Sequence, residues 1–254
     1  MMKFRADELL AKLGLAPSRA AAQHFIKAGN ALLPDGSVVR KPSQMLDEAC
    51  GIYIADKAPR YVSRGALKLL AAIEAFQPAI EGKVALDLGA STGGFTDVLL
   101  EHGARKVYAV DVGRDQLHEK LRCDPRVVSL EQTNARDLNK ELIPDEIQLL
   151  TGDLSFISLT KVLPACLSLL AAEFTAILLI KPQFEAERGE IGSGGVVRNA
   201  EVRTRCIAKI ESFAVDELDW HHLGTIQSPI EGQNGNIEFL AVFENAMPVK
   251  NNRL

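Results

Sequence analysis

The chain has 254 residues, of which 47% are hydrophobic and 24% charged, and its formal net charge is −4. These proportions are ordinary for a globular protein, and no apolar run approaches the roughly 18 residues that a membrane helix needs. On a scale of roughly 150 residues per domain, the length predicts one or two domains. A membrane-spanning or low-complexity chain is therefore excluded.

The amino terminus and the cysteines indicate a compartment. Residues 1–7 lack the apolar core of a signal peptide. The four cysteines, Cys50, Cys123, Cys166 and Cys206, are far apart, with no CxxC pair and no histidine cluster. This usage predicts a reduced, cytoplasmic protein without a metal site.

The charge is unevenly distributed along the chain. Residues 1–68 hold eleven Lys and Arg against six Asp and Glu, a net of +5, which leaves −9 for the rest of the chain. A basic amino-terminal segment followed by an acidic remainder indicates that the amino-terminal segment contacts a polyanion. The plainer alternative is a solvated basic surface.

The first 57 residues are predicted to form a small separate domain. A short amphipathic helix covers residues 6–13 and ends at Gly14, and Ser18 is a suitable N-cap for a second helix that ends at Gly29. The remainder is predicted to be a hairpin, one further strand and a linker: strands 31–33 and 37–39 around the turn 34–36, strand 52–54, and linker 58–60.

From Tyr61 onward the pattern alternates between apolar strands and helices, which is typical of an α/β domain with a parallel sheet. Helices are predicted over residues 65–76 and 202–218. The connection between the last two strands is short for a helical crossover, so we expect them to be antiparallel neighbours. The seven predicted strands cover residues 84–88, 106–112, 127–130, 147–151, 176–180, 222–227 and 237–243.

A glycine-rich turn follows the first strand of this sheet. Glycines allow a backbone to approach a ligand, and the helix that opens at about Thr92 points free N–H groups towards it. The spacing from Gly89 to Gly93 and Gly94 differs from the G-x-G-x-x-G of a pyrophosphate cradle. Asp87 would repel a pyrophosphate, but it suits an ammonium or sulfonium group.

Two more acids follow the next strands. Asp111 closes the second strand, where a carboxylate can accept hydrogen bonds from ribose hydroxyls, and Asp137 follows the third strand, where it can accept from an adenine amino group. S-adenosylmethionine combines these features without a phosphate, so the sequence predicts it as the cofactor. The plainer alternative is that Asp87 caps the helix and Asp111 ends a strand in a turn.

Four ionisable residues are predicted to meet at the same edge of the sheet. Asp153 and Lys181 follow the fourth and fifth strands, and Glu238 stands near the start of the last strand. Lys68 lies on the helix that precedes the first strand, and this helix can cross the same edge. The alternative is that each is a surface ion or half of a salt bridge, and for Lys68 an exposed lysine is the better expectation.

Such a cluster can deprotonate an alcohol. Burial and the neighbouring Lys68 favour the neutral amine of Lys181, which Asp153 would orient. Glu238 would fix Lys68 or contact the substrate ribose. Neutral Lys181 then takes the proton of a ribose 2′-hydroxyl as its oxygen attacks the sulfonium methyl group, and this chemistry needs no metal.

Taken together, these motifs resemble the TlyA (haemolysin-A-like) family of ribosomal RNA 2′-O-methyltransferases, whose catalytic half is similar to FtsJ. The resemblance covers nearly the whole chain. The segments that carry it are residues 61–65, 89–97, 107–113, 155–159, 181–185, 194–198 and 235–240.

The resemblance implies a Rossmann-like class I methyltransferase fold and a tetrad of Lys68, Asp153, Lys181 and Glu238 with Lys181 as the base. It also implies cytidine as the target. The expected cofactor-binding residues are Asp87, Gly89, Ala90, Ser91, Gly93, Gly94, Phe95, Asp111, Val112, Asn134, Asp137 and Asp153.

The resemblance further implies that the first domain is an α+β RNA-binding module of the type named after the fourth small-subunit ribosomal protein, with ribosomal RNA or ribosomal subunits as partners. The plainer alternative is a small packed domain. Ala66 replaces a second glycine of the family pattern, and the turn 34–36 replaces an Asn-Gly-like turn. The residues expected to face RNA are Arg5, Ser18, Arg19, Gln23, Lys27, Arg60 and Arg64, with Gly29 beside them.

Three rival functions are a haemolysin, a nicotinamide-dependent oxidoreductase and a non-enzymatic ribosome-binding factor. A haemolysin has no support from the sequence, which shows neither a membrane-length segment nor a clear secretion signal. The glycine spacing and Asp87 argue against the oxidoreductase, and the set of four ionisable residues argues against the non-enzymatic factor. The glycine-rich segment 188–195 is a candidate lid or RNA-contact loop.

Overall fold

The computed structural model describes residues 3–35, 37–54 and 61–245 of the chain. The chain divides into two compact units, Met1–Arg60 and Tyr61–Leu254. The predicted linker at residues 58–60 lies outside the described residues, as does Gly36 of the predicted turn.

The described residues of the first unit form two helices and two pairs of very short strands. Antiparallel β1 and β3 form one pair, and antiparallel β2 and β4 form the other. Leu9 and Leu10 pack with Ile26 in the core of this unit. Its elements in chain order are β1 (Lys3–Arg5), α1 (Ala6–Lys12), α2 (Arg19–Lys27), β2 (Ala31–Leu32), β3 (Met45–Asp47) and β4 (Tyr53–Ile54).

The helices of the first unit follow the sequence prediction, whereas its strands do so only in part. Ser18 caps α2, since its Oγ accepts a hydrogen bond from the N–H of Ala21 at 3.2 Å. The predicted hairpin is present in a short form, since the backbone N–H groups of Leu33 and Val39 donate to the carbonyl oxygens of Ser37 and Ala31, each at 2.9 Å. Strand β2 also pairs with β4, which was not predicted. The pairing of β1 with β3 was not predicted, because strands of three residues show no usable periodicity.

The second unit is a seven-stranded sheet with helices on both faces. The strand order is β10-β11-β9-β8-β5-β6-β7. Its elements are α3 (Ala66–Phe76), β5 (Val84–Leu88), α4 (Gly94–Glu101), β6 (Lys106–Val110), α5 (Glu119–Arg122), β7 (Val127–Leu130), β8 (Ile147–Gly152), α6 (Leu163–Cys166), β9 (Leu170–Ile180), α7 (Pro182–Glu185), α8 (Ala200–Ser212), β10 (His221–Gln227) and β11 (Phe239–Glu244).

Only β11 runs against the other strands of this sheet. Strands β5 to β9 pair in parallel, and β11 is antiparallel to both β9 and β10. The predicted α/β fold, with a mostly parallel sheet and an antiparallel last strand, is therefore confirmed. Every residue of β5 is buried, as expected for a strand that is covered on both faces.

Several element ends differ from the prediction for local reasons. Strand β6 ends at Val110 rather than Val112, because the Asp111 carboxylate accepts a hydrogen bond from the Gly113 N–H at 2.7 Å and the chain turns there. The strand predicted over residues 176–180 begins earlier, because Leu170–Ile180 extends to pair with β8 and β11.

The topology places the carboxyl ends of β5, β6, β8 and β9 at one edge of the sheet, and the start of β11 lies there too. Phe239 pairs with Ile180, so the residues just before β11 lie beside those just after β9. A ligand site in an open α/β sheet lies at this edge. Among the described residues, no helix is long and apolar enough to cross a membrane.

Candidate active site

The structure brings the four ionisable residues predicted from sequence into one cluster. Lys68 Nζ lies 2.6 Å from Glu238 Oε2 and 3.7 Å from Asp153 Oδ2, and Lys181 Nζ lies 2.5 Å from Asp153 Oδ1. Cations and anions therefore alternate in the order Glu238, Lys68, Asp153, Lys181. Their roles in catalysis stay predictions at this point.

The cluster is largely withdrawn from solvent. Lys68 and Lys181 are each 8% exposed, and Glu238 is 2% exposed. Burial of single charges is costly, but two cations and two anions in contact compensate one another. Two neutral groups complete the network: Ser155 Oγ accepts from Lys181 Nζ at 2.9 Å, and Gln183 Nε2 donates to Glu238 Oε1 at 3.2 Å.

The expectation of an exposed Lys68 is wrong, because the start of α3 packs closely against the start of α4. A Cβ at Gly94 would overlap Ser63 Oγ and lie 3.0 Å from the Ala66 backbone nitrogen. Glycine at this position lets the two helices approach, and α3 then carries Lys68 across the sheet edge. Asp97 fixes the same approach by accepting from the Val62 N–H at 3.0 Å.

The glycine-rich turn also depends on close backbone approach. Gly89 has a φ of +76°, and a Cβ there would lie 2.6 Å from the carbonyl oxygen of Asp153. Only glycine adopts this conformation readily and leaves room for the neighbouring chain. The turn therefore lies directly against the residue that contacts both lysines.

A cavity of about 350 Å³ opens at the ends of β5, β6 and β8. Apolar side chains, including Val110, Ile157 and Val162, form part of its wall. The predicted cofactor residues that line it are Gly89, Ser91, Asp111, Val112, Asn134 and Asp153. Ala90, Gly94 and Phe95 line a neighbouring pocket of about 250 Å³. Gly93 lines neither of the two.

Asp111 is placed to accept hydrogen bonds from a ligand. Its Oδ2 accepts from the Ser91 N–H at 2.8 Å and its Oδ1 from the Gly113 N–H at 2.7 Å. Each carboxylate oxygen has a further lone pair, and the residue lines the cavity. An anchored carboxylate beside apolar walls fits the ribose and base of S-adenosylmethionine.

Besides Gly93, two predicted acidic cofactor contacts, Asp87 and Asp137, are not brought to a cavity wall. Asp87 is fully buried, and its oxygens accept from Thr96 Oγ1 at 2.7 Å and Thr151 Oγ1 at 2.9 Å. Burial raises the pKa of this carboxyl to about 6. Asp87 therefore stabilises the turn through hydrogen bonds in the core and does not face a ligand in the cavity. Asp137 is exposed on a short 3-10 turn and lines no described cavity, whereas Asn134 does.

A second cavity of about 220 Å³ contains the ionisable cluster. Gly89, Ser91 and Asp153 line both this cavity and the larger one, so the two adjoin. Among the described residues, no group of three or more His, Cys, Asp or Glu side chains is placed to hold a metal ion. The arrangement has room for a cofactor on one side of Asp153 and for an acceptor on the other.

An aromatic pair at this edge was not singled out from the sequence. Phe156 is 84% exposed, lines the larger cavity and lies 5.1 Å from the Phe184 ring, centroid to centroid. Lys181 Nζ is 5.9 Å from the centroid of Phe184. A large exposed aromatic side chain beside a polar cavity can stack on a nucleobase. The signal was available, since Phe156 follows β8 by only four residues.

Three of the predicted RNA-contact residues in the first unit converge on one buried carboxylate. Asp7 accepts from Arg5 Nε at 3.0 Å, Arg19 Nη2 at 3.3 Å and Gln23 Nε2 at 2.8 Å. The Arg5 guanidinium in particular holds the pKa of Asp7 well below its usual range. Arg5 and Arg19 remain 41% and 54% exposed, so both keep N–H groups for other partners.

The other residues predicted to contact RNA have varied placements. Ser18 is used as the α2 cap, and Lys27 is exposed on the last turn of that helix. Arg64 is exposed in the segment before α3, and Arg60 lies outside the described residues. RNA contact at these positions stays a prediction.

Comparison with known proteins gives a consistent result. The model of the FtsJ-like methyltransferase family matches residues 61–245. The chain is 45% identical over 236 residues to the 16S/23S rRNA (cytidine-2′-O)-methyltransferase TlyA of Mycobacterium tuberculosis, covering 92% of this chain and 87% of that protein. It is 43% identical over 240 residues to Hemolysin A of Brachyspira hyodysenteriae, covering 94% and 99%.

Solved structures agree. A putative hemolysin from Streptococcus thermophilus superposes with a TM-score of 0.73 at 41% identity, covering 96% of this chain and 89% of that one. A putative S-adenosylmethionine-dependent methyltransferase from Listeria monocytogenes, at 18% identity and a TM-score of 0.50, covers 73% of this chain and all of that one and shares the fold.

Proposed function

We propose a reaction for this chain, which belongs to the TlyA group of FtsJ-like methyltransferases: the transfer of a methyl group from S-adenosylmethionine to the 2′-hydroxyl of a cytidine in ribosomal RNA. The resemblance deduced from the motifs is confirmed by the family match. The proposal rests on the cluster of Lys68, Asp153, Lys181 and Glu238, which lines the smaller cavity and reaches the larger one through Asp153.

The larger cavity is the proposed cofactor site. S-adenosylmethionine, when bound, would supply an electrophilic methyl group, whose bond to sulfur breaks as the bond to the ribose 2′-oxygen forms, with S-adenosylhomocysteine as the leaving group. Asp111 would accept from the ribose hydroxyls of the cofactor, Asn134 would face its adenine, and Gly89 and Asp153 would lie nearest the reacting end. These roles follow from the order of the residues along the sheet edge.

Lys181 is the proposed general base. As the neutral amine it takes the proton of the 2′-hydroxyl, so the oxygen gains the electron density it needs for attack. Asp153 and Ser155 hold Nζ at 2.5 Å and 2.9 Å, which fixes the direction from which it meets the hydroxyl. The proton leaves the site afterwards from Lys181, and no metal takes part in this scheme.

Lys68 and Glu238 are proposed to set the charge around that base. Lys68 lies between the two carboxylates and holds Asp153 in place, while Glu238 fixes Lys68 at 2.6 Å. Since Asp153 also contacts Lys181 Nζ at 2.5 Å, Lys68 and Glu238 together keep the carboxylate that orients the base in its position. Phe156 is proposed to stack on the target base outside the cavity.

The first unit is proposed to bind ribosomal RNA. Residues 1–60 hold nine Lys and Arg against six Asp and Glu, a net charge of +3, and Asp7 holds Arg5 and Arg19 in one cluster with exposed N–H groups. Backbone phosphates are the natural partners of such a cluster, because guanidinium groups bind phosphate oxygens in pairs. The proposed location is the cytoplasm, where ribosomal subunits are available as substrates.

The test is methyl transfer to defined substrates. The full-length protein is incubated with labelled S-adenosylmethionine and ribosomal subunits that lack 2′-O-methylcytidine, and the modified nucleosides are mapped by mass spectrometry. We expect label at the 2′-oxygen of cytidine in one or both subunits. Cofactor binding without transfer to any subunit or naked ribosomal RNA would contradict the proposal and favour a non-enzymatic ribosome-binding factor.

A further inference from the structure

Glu185 is a buried carboxylate that the proposed chemistry does not use. It ends α7, four residues after Lys181, and its side chain is 2% exposed. It lines neither the cofactor cavity nor the cavity of the ionisable cluster. A buried charge is costly unless each oxygen finds a partner, so its contacts indicate what it holds.

Two of its contacts reach the segment that follows β8. Glu185 Oε2 accepts from Ser158 Oγ at 2.5 Å, and Oε1 accepts from the Leu159 backbone N–H at 2.8 Å. The third partner is Lys209 on α8, whose Nζ lies 3.1 Å from Oε2 and also donates to the Glu185 carbonyl oxygen at 3.0 Å. One side chain thus joins α7, α8 and residues 158–159.

The same two segments meet again on the cavity side. Lys181 Nζ donates to Ser155 Oγ at 2.9 Å, and the Phe156 and Phe184 rings lie 5.1 Å apart. Phe156 has a φ of +65°, a conformation that non-glycine residues rarely adopt and that the surroundings must hold in place. Glu185 supplies hydrogen bonds from the far side of this loop, two and three residues further on.

We propose that Glu185 is a positioning residue for methyl transfer, which holds residues 155–159 against α7 so that Ser155 and Phe156 face Lys181 and Phe184. This inference rests on the proposed function. Glu185 acts through the loop and touches neither substrate nor cofactor.

The contacts predict how substitutions differ. In Glu185→Gln, Oε1 still accepts from the Leu159 N–H and Nε2 donates to Ser158 Oγ, so the loop stays in place, while the ion pair and hydrogen bond from Lys209 Nζ to the side chain are lost. Glu185→Ala removes both bonds to the loop. Lys209→Met is the matched control, because it removes the ion pair and leaves the loop bonds intact.

The first experiment measures kcat, KM for ribosomal subunits and the Kd for S-adenosylmethionine, with active protein normalised to the folded fraction at a temperature well below unfolding. Since a displacement of about 1 Å can cost roughly a hundredfold in rate, we expect Glu185→Ala to lower kcat by about tenfold to a hundredfold. Glu185→Gln and Lys209→Met should stay within about threefold of the wild type. A purely structural role would lower the folded fraction and leave kcat unchanged.

The second experiment follows amide hydrogen exchange of residues 154–162, which needs no activity. Exchange should accelerate in Glu185→Ala and remain at the wild-type rate in Glu185→Gln. Unchanged exchange or an unchanged kcat in Glu185→Ala would overturn the inference. If Glu185→Ala does not fold, Ser158→Ala serves as the test variant. We expect it to have a lower kcat and faster amide exchange, and wild-type values of both would contradict the inference. A wild type without transferase activity would refute the proposed function, and the exchange data would still test the hold on the loop.

Discussion

Replacing Lys68 by methionine tests whether the buried charges depend on one another. Methionine keeps an unbranched side chain and removes the charge that lies 2.6 Å from Glu238. Glu238 would then remain 2% exposed, with Gln183 as its other side-chain donor at 3.2 Å. Leaving one partner of a buried ion pair uncompensated typically costs about 3–5 kcal/mol, and we expect Lys68→Met to lower the free energy of unfolding by this amount.

A second substitution turns this loss into a measure of coupling. Glu238→Gln alone leaves Lys68 next to Asp153 at 3.7 Å, so its cost should be smaller, about 2 kcal/mol. Because a neutral pair needs no compensation, the double variant should recover most of the loss. The expected coupling free energy between the two positions is at least about 2 kcal/mol.

The assay is urea denaturation followed by tryptophan fluorescence. Trp220 is the single tryptophan of the chain, is 4% exposed and packs against Phe174 and Phe243 in the second unit. Its emission therefore reports the unfolding of the unit that holds Lys68 and Glu238. Losses that add within about 0.5 kcal/mol would refute the coupling and with it the idea of a mutually compensated cluster.

Three further predictions concern the carboxylates and the turn. Burial raises the pKa of Asp87 to about 6, so the folded protein binds this proton more tightly than the unfolded chain does, and the free energy of unfolding falls as the pH rises from about 4 to about 6. We expect Asp87→Asn to remove about 3 kcal/mol of this pH dependence, measured by urea denaturation across that range. A pH profile identical to that of the wild type would contradict the prediction. Gly89→Ala places a methyl group 2.6 Å from the Asp153 carbonyl oxygen, so calorimetry should show that S-adenosylmethionine binds at least about tenfold more weakly. The control Gly82→Ala should leave the affinity for S-adenosylmethionine almost unchanged, because a Cβ at Gly82 meets nothing within 4 Å. Asp7→Ala makes the first unit more positive but frees Arg5 from its fixed position, so we expect the free energy of binding to ribosomal RNA, measured by filter binding at fixed salt, to weaken by about 1 kcal/mol. Tighter binding would show that net charge alone determines the affinity for RNA.

The sequence was sufficient to predict the ionisable cluster because the apolar runs locate the ends of the strands. Asp153 and Lys181 each follow an apolar run directly, and parallel strands bring such positions to one edge. The position of Glu238 followed from the antiparallel last strand, which the short connection before it indicated. Only the burial of Lys68 required knowledge of how α3 packs on α4.

The orientation of side chains at those ends was less predictable. Asp87 occupies the expected place after β5, but Thr96 and Thr151 draw its carboxylate into the core. Thr151 lies 64 residues from Asp87, and Thr96, only nine residues away in the glycine-rich segment, is not marked by its residue type as a partner of this carboxylate. The contacts of Glu185 could not be predicted from the sequence either, because its partners Ser158 and Lys209 lie 27 and 24 residues away along the chain.

The single-turnover rate of methyl transfer by Lys181→Met, with saturating S-adenosylmethionine and ribosomal subunits, shows whether Lys181 takes the proton. Lys161→Met is the matched control, because Lys161 is an exposed lysine outside both cavities. Loss of a general base predicts a rate lower by about 10²–10⁴-fold in Lys181→Met, with cofactor affinity retained and the control unchanged. A Lys181→Met rate within about threefold of the wild type would show that another group takes the proton.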